Sequence, residues 1–287
     1  KPELIAQRIS EIKAAGAVVC GSLTPQSVQQ HYEVAVEAGL DILGIQGTVI
    51  SAEHVSTTVE PLNLKEFISE VPIPTVVGGC ASYSTGLHLM RTGAVGVLVG
   101  VGPGAACTTR GVLGIGVPQA TAIADVAAAR SQHMLETGEY VNVIGDGGMR
   151  TGGDISKAIA CGADAVMIGS PLARAKEAPG RGYHWGMATF HSSLPRGTRV
   201  TTVQDGTMEE ILLAPAHTHD GPANLMGALR TSMATCGYED IRSFQRAEMM
   251  IAPALMTEGK KPQQEQSVGM GSNGRAAVSA GVEVADD

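Results

Sequence analysis

Short apolar runs recur along the chain at residues 17–23, 41–47, 74–80, 95–104, 141–147 and 165–171, with glycine at or near their ends. Each of the first five is followed by a loop and then by an alanine-rich or amphipathic stretch long enough for a helix. This alternation predicts parallel strands joined by crossover helices, an α/β architecture. Three of the predicted helices end alike, with Gly39 before Leu40-Asp41, Gly93 before Ala94-Val95 and Gly162 before Ala163-Asp164. Glycine just past a helix supplies the left-handed residue that stops it. The same stop used three times favours a closed (β/α)8 TIM barrel, with a doubly wound open sheet as the alternative.

A closed barrel needs eight strands, and six runs precede Pro171. The expectation is therefore a barrel lacking its first two strands in this chain, the missing pair belonging to a portion before Lys1. A catalytic domain is expected over residues 1–260, with a flap around 180–222 and helices near 224–236 and 241–256. Residues 261–287 read as a C-terminal tail, its last stretch from Ser272 having little pattern.

Composition narrows the class. The chain has 287 residues, 44% of them apolar but only 3% aromatic, so its core is aliphatic, as buried parallel strands require. The formal net charge of -8, with no basic stripe, argues against nucleic acid as a partner. Cys20, Cys80, Cys107, Cys161 and Cys236 form no CxxC pair and read as free thiols of a reducing compartment. No run of 18 uncharged apolar residues suggests a membrane span, so a cytoplasmic protein is expected.

Three segments at predicted strand exits carry candidate chemistry. The first is Gly100-Val101-Gly102-Pro103-Gly104-Ala105-Ala106-Cys107-Thr108-Thr109-Arg110. Its glycines and proline shape a loop whose carbonyls suit a monovalent cation or whose N–H groups suit an anion. Cys107 at its end is a candidate nucleophile, because a nearby cation such as Arg110 or a helix start favours the thiolate. The plainer alternative is a small residue filling a bend.

The second segment runs from Gly145 through Asp146, Gly147, Gly148, Met149 and Arg150 to Asp154. A short carboxylate at a strand exit suits two vicinal ribose hydroxyls, and the glycines expose N–H groups to a phosphate. Asp146 as a capping or turn residue is the competing reading, and Asp154 is expected to be a helix N-cap. The third segment is Met167-Ile168-Gly169-Ser170, able to close round the same phosphate. His184, His191, His217 and His219 lack a metal-ligand spacing and read as solvated loop histidines. Arg196 and Arg199 flank a turn that suits either a mobile flap or a solvated hairpin, with Asp205-Gly206 as its turn.

Residues 102–123, GPGAACTTRGVLGIGVPQATAI, resemble the cysteine loop of the IMP dehydrogenase / GMP reductase family. Asp146-Gly147-Gly148-Met149-Arg150 with Gly153-Asp154-Ile155 resembles its ribose-and-phosphate segment, and Gly169-Ser170 its second phosphate turn. Ile45-Gln46-Gly47-Thr48, Ser51-Ala52-Glu53-His54-Val55, His184-Trp185-Gly186-Met187-Ala188 and Leu194-Pro195-Arg196-Gly197 are similar to an IMP-dehydrogenase-like branch of actinobacteria and cyanobacteria.

The resemblance implies a potassium-activated, NAD-dependent oxidation of IMP to XMP in guanine nucleotide synthesis, through a cysteine-bound thioimidate. Cys107 would be the nucleophile, with Thr109 its neighbouring hydroxyl, and Arg196 or Arg199 would stand for the arginine of the family's water-activating Arg-Tyr pair in the flap. Gly102, Gly104 and Cys107 would lend carbonyls to potassium. Asp146, Gly147, Gly148, Gly169, Ser170, Gly186 and Met187 would hold the substrate. Gln46, Gly47, Gly78, Gly79, Gly100 and Gly102 would lie on the cofactor side. Homotetramers or homo-octamers are implied as well, and the chain leaves no segment for the family's regulatory CBS pair. Two departures stand out: Gln46 replaces an aspartate, and Gly78-Gly79 replaces a Gly-Asn pair. The alternatives are an NADPH-dependent GMP reductase and a non-catalytic purine-nucleotide-binding regulatory subunit.

Overall fold

The computed structural model describes residues 1–47, 62–186, 200–217 and 221–251. They fall into two compact units. The first unit holds α1 (Pro2–Ala14), β1 (Cys20–Leu23), α2 (Val28–Glu37), β2 (Ile42–Gln46), α3 (Leu64–Glu70), β3 (Thr75–Cys80), α4 (Tyr83–Met90), β4 (Gly96–Val99), α5 (Thr109–Leu113), α6 (Gln119–Thr137) and β5 (Asn142–Asp146). The chain then passes through α7 (Gly152–Ala160), assigned to the second unit, before returning to the first as β6 (Ala165–Met167). The second unit continues with α8 (Ser170–Ala173), β7 (Tyr183–His184), β8 (Val200–Thr201), α9 (Met208–Leu212), α10 (Leu225–Thr235) and α11 (Ile241–Phe244).

The six apolar runs become six parallel strands in sequential order, β1 to β6. Every strand's C-terminal end therefore lies on the same side of the sheet. The sheet curls, because Gln46 at the end of β2 hydrogen-bonds Asp146 at the end of β5, three strands away. A flat sheet with strands about 4.8 Å apart would hold those side chains far beyond reach. The fold class is thus a curled parallel α/β sheet of the TIM-barrel kind, with β1 and β6 at its edges.

Burial explains the strand composition. Leu43, Ile45, Val77, Val97, Leu98, Val99 and Val143 are fully inside, as are Leu89, Met90, Ala122, Ile123, Val126 and Ala129 of α4 and α6, the helices that pack on β3, β4 and β5. Each large aliphatic side chain so buried contributes about 1.5–3 kcal/mol. Asn63 and Ser82 cap α3 and α4 by accepting from Glu66 N and Thr85 N. The predicted helix stops are real, since Gly39, Gly93 and Gly162 all have positive φ. After α2, Gly39 N donates to Val36 O and Leu40 N to Ala35 O, which closes the helix as a Schellman turn.

In the second unit α7 and α10 pack with almost no separation. A Cβ on Gly152 would stand 2.2 Å from the Cβ of Ala228. Ile155, Ala158 and Ile159 of α7 and Leu225, Leu229 and Met233 of α10 are buried.

Several expectations change. The run 95–104 is strand only through Val99, because Gly100 and Gly102 take positive φ and turn the chain out into a loop. The helix expected over 241–256 ends at Phe244. Met249, Met250 and Ile251 beyond it are exposed, and a short helix without a packed apolar face does not persist. Asp205-Gly206 is not the hairpin turn: β7 and β8 pair as Tyr183↔Thr201 and His184↔Val200, while Gly206 bridges Ala175 and Asp205 pairs with Arg174. The expected flap is described only outside residues 187–199 and 218–220, and residues 252–287, which contain the expected tail, lie outside the described residues. Among the described residues no helix is long and apolar enough to cross a membrane.

Candidate active site

The site is built where β4 and β5 release the chain. Beyond β4, Gly100 N donates to Cys80 O, and Arg110 then braces the loop from inside. Its Nε donates to Val101 O at 3.0 Å and its Nη2 to Val117 O at 2.6 Å. A Cβ on Gly102 or Gly116 would fall within 2.7 Å of the Arg110 side chain, so both glycines make room for this strut. Sequence suggested Arg110 as a charge beside the thiol; the structure shows that its donors hold the loop's shape.

Cys107 sits exposed two residues before α5, with its N–H on Gly104 O. Its thiol donates to the Thr109 hydroxyl at 3.2 Å, and Thr109 is 1% exposed. A buried hydroxyl this close can reverse the bond and donate to a thiolate. The two residues named from sequence as nucleophile and neighbouring hydroxyl are therefore brought together.

The β5 exit lies against this loop. Gly147 and Gly148 both have φ of 80°, and a Cβ on Gly148 would stand 2.9 Å from the Pro103 Cβ. Gly100 approaches closer still, since a Cβ there would lie 2.2 Å from Asp146 O. Gln119, the first residue of α6, fastens the two exits by donating to Val99 O at 2.6 Å and to Asp146 O at 3.3 Å. Sequence reasoning missed Gln119. A polar residue at a helix start carries no signal of its own until the tertiary structure gives it two strand carbonyls to hold.

Asp146 is half-buried, and its Oδ2 accepts from Gln46 Nε2 at 2.8 Å. Burial pushes its pKa up, and the Gln46 hydrogen bond opposes that shift. Ser22 at the end of β1, also missed from sequence, donates to Gln46 Oε1 at 3.2 Å. Gly147 N donates to Met167 O, extending the β5–β6 ladder, so that N–H is not available to a phosphate as expected. Gly148 is exposed.

The remaining candidates divide. Gly47 and the Gly78-Gly79 pair interlock at the β2–β3 exit, Gly47 N donating to Gly78 O and Gly79 N to Gly47 O. A Cβ on Gly78 would collide with Leu98, at 2.4 Å from its Cβ, so packing alone requires glycine there. Gly186 lies beside the cysteine loop, where an added Cβ would be 3.9 Å from Ala106 O. Met187 and Arg196 lie outside the described residues. In the second unit Gly169 precedes α8, and Ser170 Oγ is 3.0 Å from His184 Nε2 while Thr202 Oγ1 is 2.9 Å from Nδ1. Asp154 is not the N-cap but the third residue of α7. Thr151 caps the helix by accepting from Asp154 N, and Asp154 Oδ2 accepts from Thr151 N and Arg150 N, a reciprocal box.

For a cation, the carbonyls of Gly102, Gly104 and Cys107 have the neutral hard-oxygen chemistry a monovalent ion prefers. Gly104 O already accepts from Cys107 N and retains its second lone pair. Among the described residues no group of three His, Cys, Asp or Glu side chains is arranged to hold a metal.

The family model described as IMP dehydrogenase / GMP reductase domain matches residues 7–262. An uncharacterized oxidoreductase of Mycolicibacterium smegmatis is 48% identical, over 87% of this chain and 68% of its own. An inosine-5'-monophosphate dehydrogenase of Methanocaldococcus jannaschii is 35% identical, over 84% of this chain and 52% of its own. The crystal structure of an IMP dehydrogenase/GMP reductase-like protein from Corynebacterium glutamicum superposes with a TM-score of 0.80 at 46% identity, covering 88% of this chain and 66% of that one. The chain thus spans about two thirds of the first and third relatives and about half of the second. A cysteine loop braced against an aspartate-bearing strand exit, in a curled parallel sheet, accords with these matches, and the chain belongs to the IMP dehydrogenase / GMP reductase family of oxidoreductases.

Proposed function

We propose that this chain carries the cysteine site of an NAD-dependent IMP dehydrogenase. The observation that supports this reading best is the exposed Cys107 thiol, 3.2 Å from the buried Thr109 hydroxyl, on a loop held against the strand exit that bears Asp146. In the reaction the Cys107 thiolate forms a bond to C2 of the hypoxanthine ring. The C2 hydrogen departs with its electron pair as hydride, leaving a thioimidate on the cysteine. Water then adds to C2 and gives up a proton to solvent, the C–S bond breaks, and XMP leaves with the thiolate restored. The nicotinamide cofactor, when bound, supplies the hydride acceptor. By the sequence resemblance, Gly47, Gly78, Gly79, Gly100 and Gly102 would lie on its side of the site.

The protein's own part is orientation and proton handling. Asp146 accepts from the ribose hydroxyls, which fixes the base over the thiol. Thr109 donates to the departing sulfur and so stabilises its charge. Gly148 offers main chain to the phosphate; the matching role of Gly169 and Ser170 rests on the sequence resemblance. Potassium at the Gly102, Gly104 and Cys107 carbonyls would stiffen the loop that carries the nucleophile.

The test is absorbance at 340 nm with the full chain, potassium, IMP and NAD, with GMP and NADPH as the mirror reaction. A rise with IMP supports the dehydrogenase. A fall with GMP replaces it with the reductase, and binding without either change replaces it with a nucleotide-binding subunit.

A further inference from the structure

Asp146 stands at the end of β5, and among the described residues one side-chain donor is fastened to it, from across the curled sheet. Gln46 at the end of β2 places Nε2 2.8 Å from Asp146 Oδ2. The other end of the same amide is also held, because Ser22 at the end of β1 donates to Oε1 at 3.2 Å. Room for the serine comes from Gly44, where a Cβ would stand 3.2 Å from Ser22 Oγ. An amide whose oxygen is held by a hydroxyl and whose nitrogen faces a carboxylate has only one favourable orientation. Flipped, it would set two acceptors against each other.

We propose that Gln46 is a positioning residue for Asp146: anchored by Ser22, it holds the carboxylate in the pose that receives the vicinal hydroxyls of a purine nucleotide's ribose. This rests on the substrate reading above. A carboxylate has about four acceptor positions, and Gln46 occupies one on Oδ2. Among the described residues no other side chain donates to it, which leaves the remainder for two hydroxyl donors. The donor is also neutral. A lysine or arginine in its place would compete for the charge that makes the carboxylate a strong acceptor, whereas an amide fixes the group and leaves the charge intact. The bond further commits the amide nitrogen to the substrate side, so Gln46 acts on nucleotide selection through Asp146 and not by direct contact with the cofactor.

The test compares binding of IMP with binding of its 2′,3′-dideoxy analogue by calorimetry, using the full chain and Gln46→Leu, Ser22→Ala and Asp146→Asn. Gln46→Leu should weaken IMP by about tenfold, the scale of one hydrogen bond to a charged group, and leave the dideoxy analogue unchanged. Combined with Asp146→Asn it should add nothing further. Ser22→Ala, at an exposed position, should give a smaller loss of the same selectivity without touching the core. Unchanged IMP affinity, or equal losses for both ligands, would overturn the proposal. If Asp146→Asn itself leaves IMP binding intact, it is the ribose reading that fails. The pairing is then judged without ligand, by carboxyl NMR of Asp146: its titration midpoint should rise in Gln46→Leu, and an unmoved midpoint overturns the proposal.

Discussion

Pro103 and Gly148 meet where two loops leave neighbouring strands, so closely that a Cβ on Gly148 would stand 2.9 Å from that of Pro103. The residue has φ of 80° as well, so an alanine there is strained twice. Gly148→Ala should lower stability by about 1–2 kcal/mol and displace the cysteine loop. The expected record is a fall of a few degrees in Tm together with a raised KM for IMP. A lowered Tm with an unchanged KM would detach Gly148 from the site.

Cys107→Ala should remove turnover by on the order of 10³-fold or more, while IMP affinity measured by calorimetry stays close to that of the parent. Incubation of the parent with IMP and NAD should give a covalent adduct by intact mass that the variant lacks. Turnover by the alanine variant would end the nucleophile assignment.

Thr109→Val keeps the buried volume and deletes the hydroxyl 3.2 Å from the thiol. The expected loss is in kcat, by about tenfold to a hundredfold, with KM for IMP little changed. Because a buried polar site is being filled by a methyl group, circular dichroism must first show that Tm has not collapsed.

Asp146 sets a pH dependence whose sign follows from its surroundings. Burial raises its folded pKa, with Gln46 opposing. Folded protein therefore holds this proton at pH values where an unfolded chain has released it, and the group's contribution to stability is lost as pH rises through the raised pKa. Binding runs the other way. As pH falls through that raised value the acceptor is protonated, so IMP affinity should drop above the usual carboxylate range, and the Asp146→Asn variant should show a flat profile there.

Gly152→Ala tests the second unit alone. The added Cβ would stand 2.2 Å from that of Ala228, so α7 and α10 must part, at a cost of about 1–3 kcal/mol. Thermal unfolding should show it, and an unshifted Tm would mean that the helices yield freely.

Much of this was legible in the order of residues. Six apolar runs and three repeated Gly stops specified parallel strands and crossover helices, because strand burial and helix termination are local and leave a periodic trace. The Cys107 loop and the Asp146 segment could be read for the same reason, since glycines, a thiol and a carboxylate cluster within a few positions of each strand end. The tertiary structure alone decided which groups meet. Gln46 and Asp146 are 100 residues apart, and only the curl of the sheet brings them together. Arg110 proved to be a brace, Gly147 a rung of the β5–β6 ladder, and Gly78 a concession to Leu98. Hydrogen bonds and close contacts between distant segments depend on where the backbone carries each group. Composition and spacing along one strand exit hold no record of that.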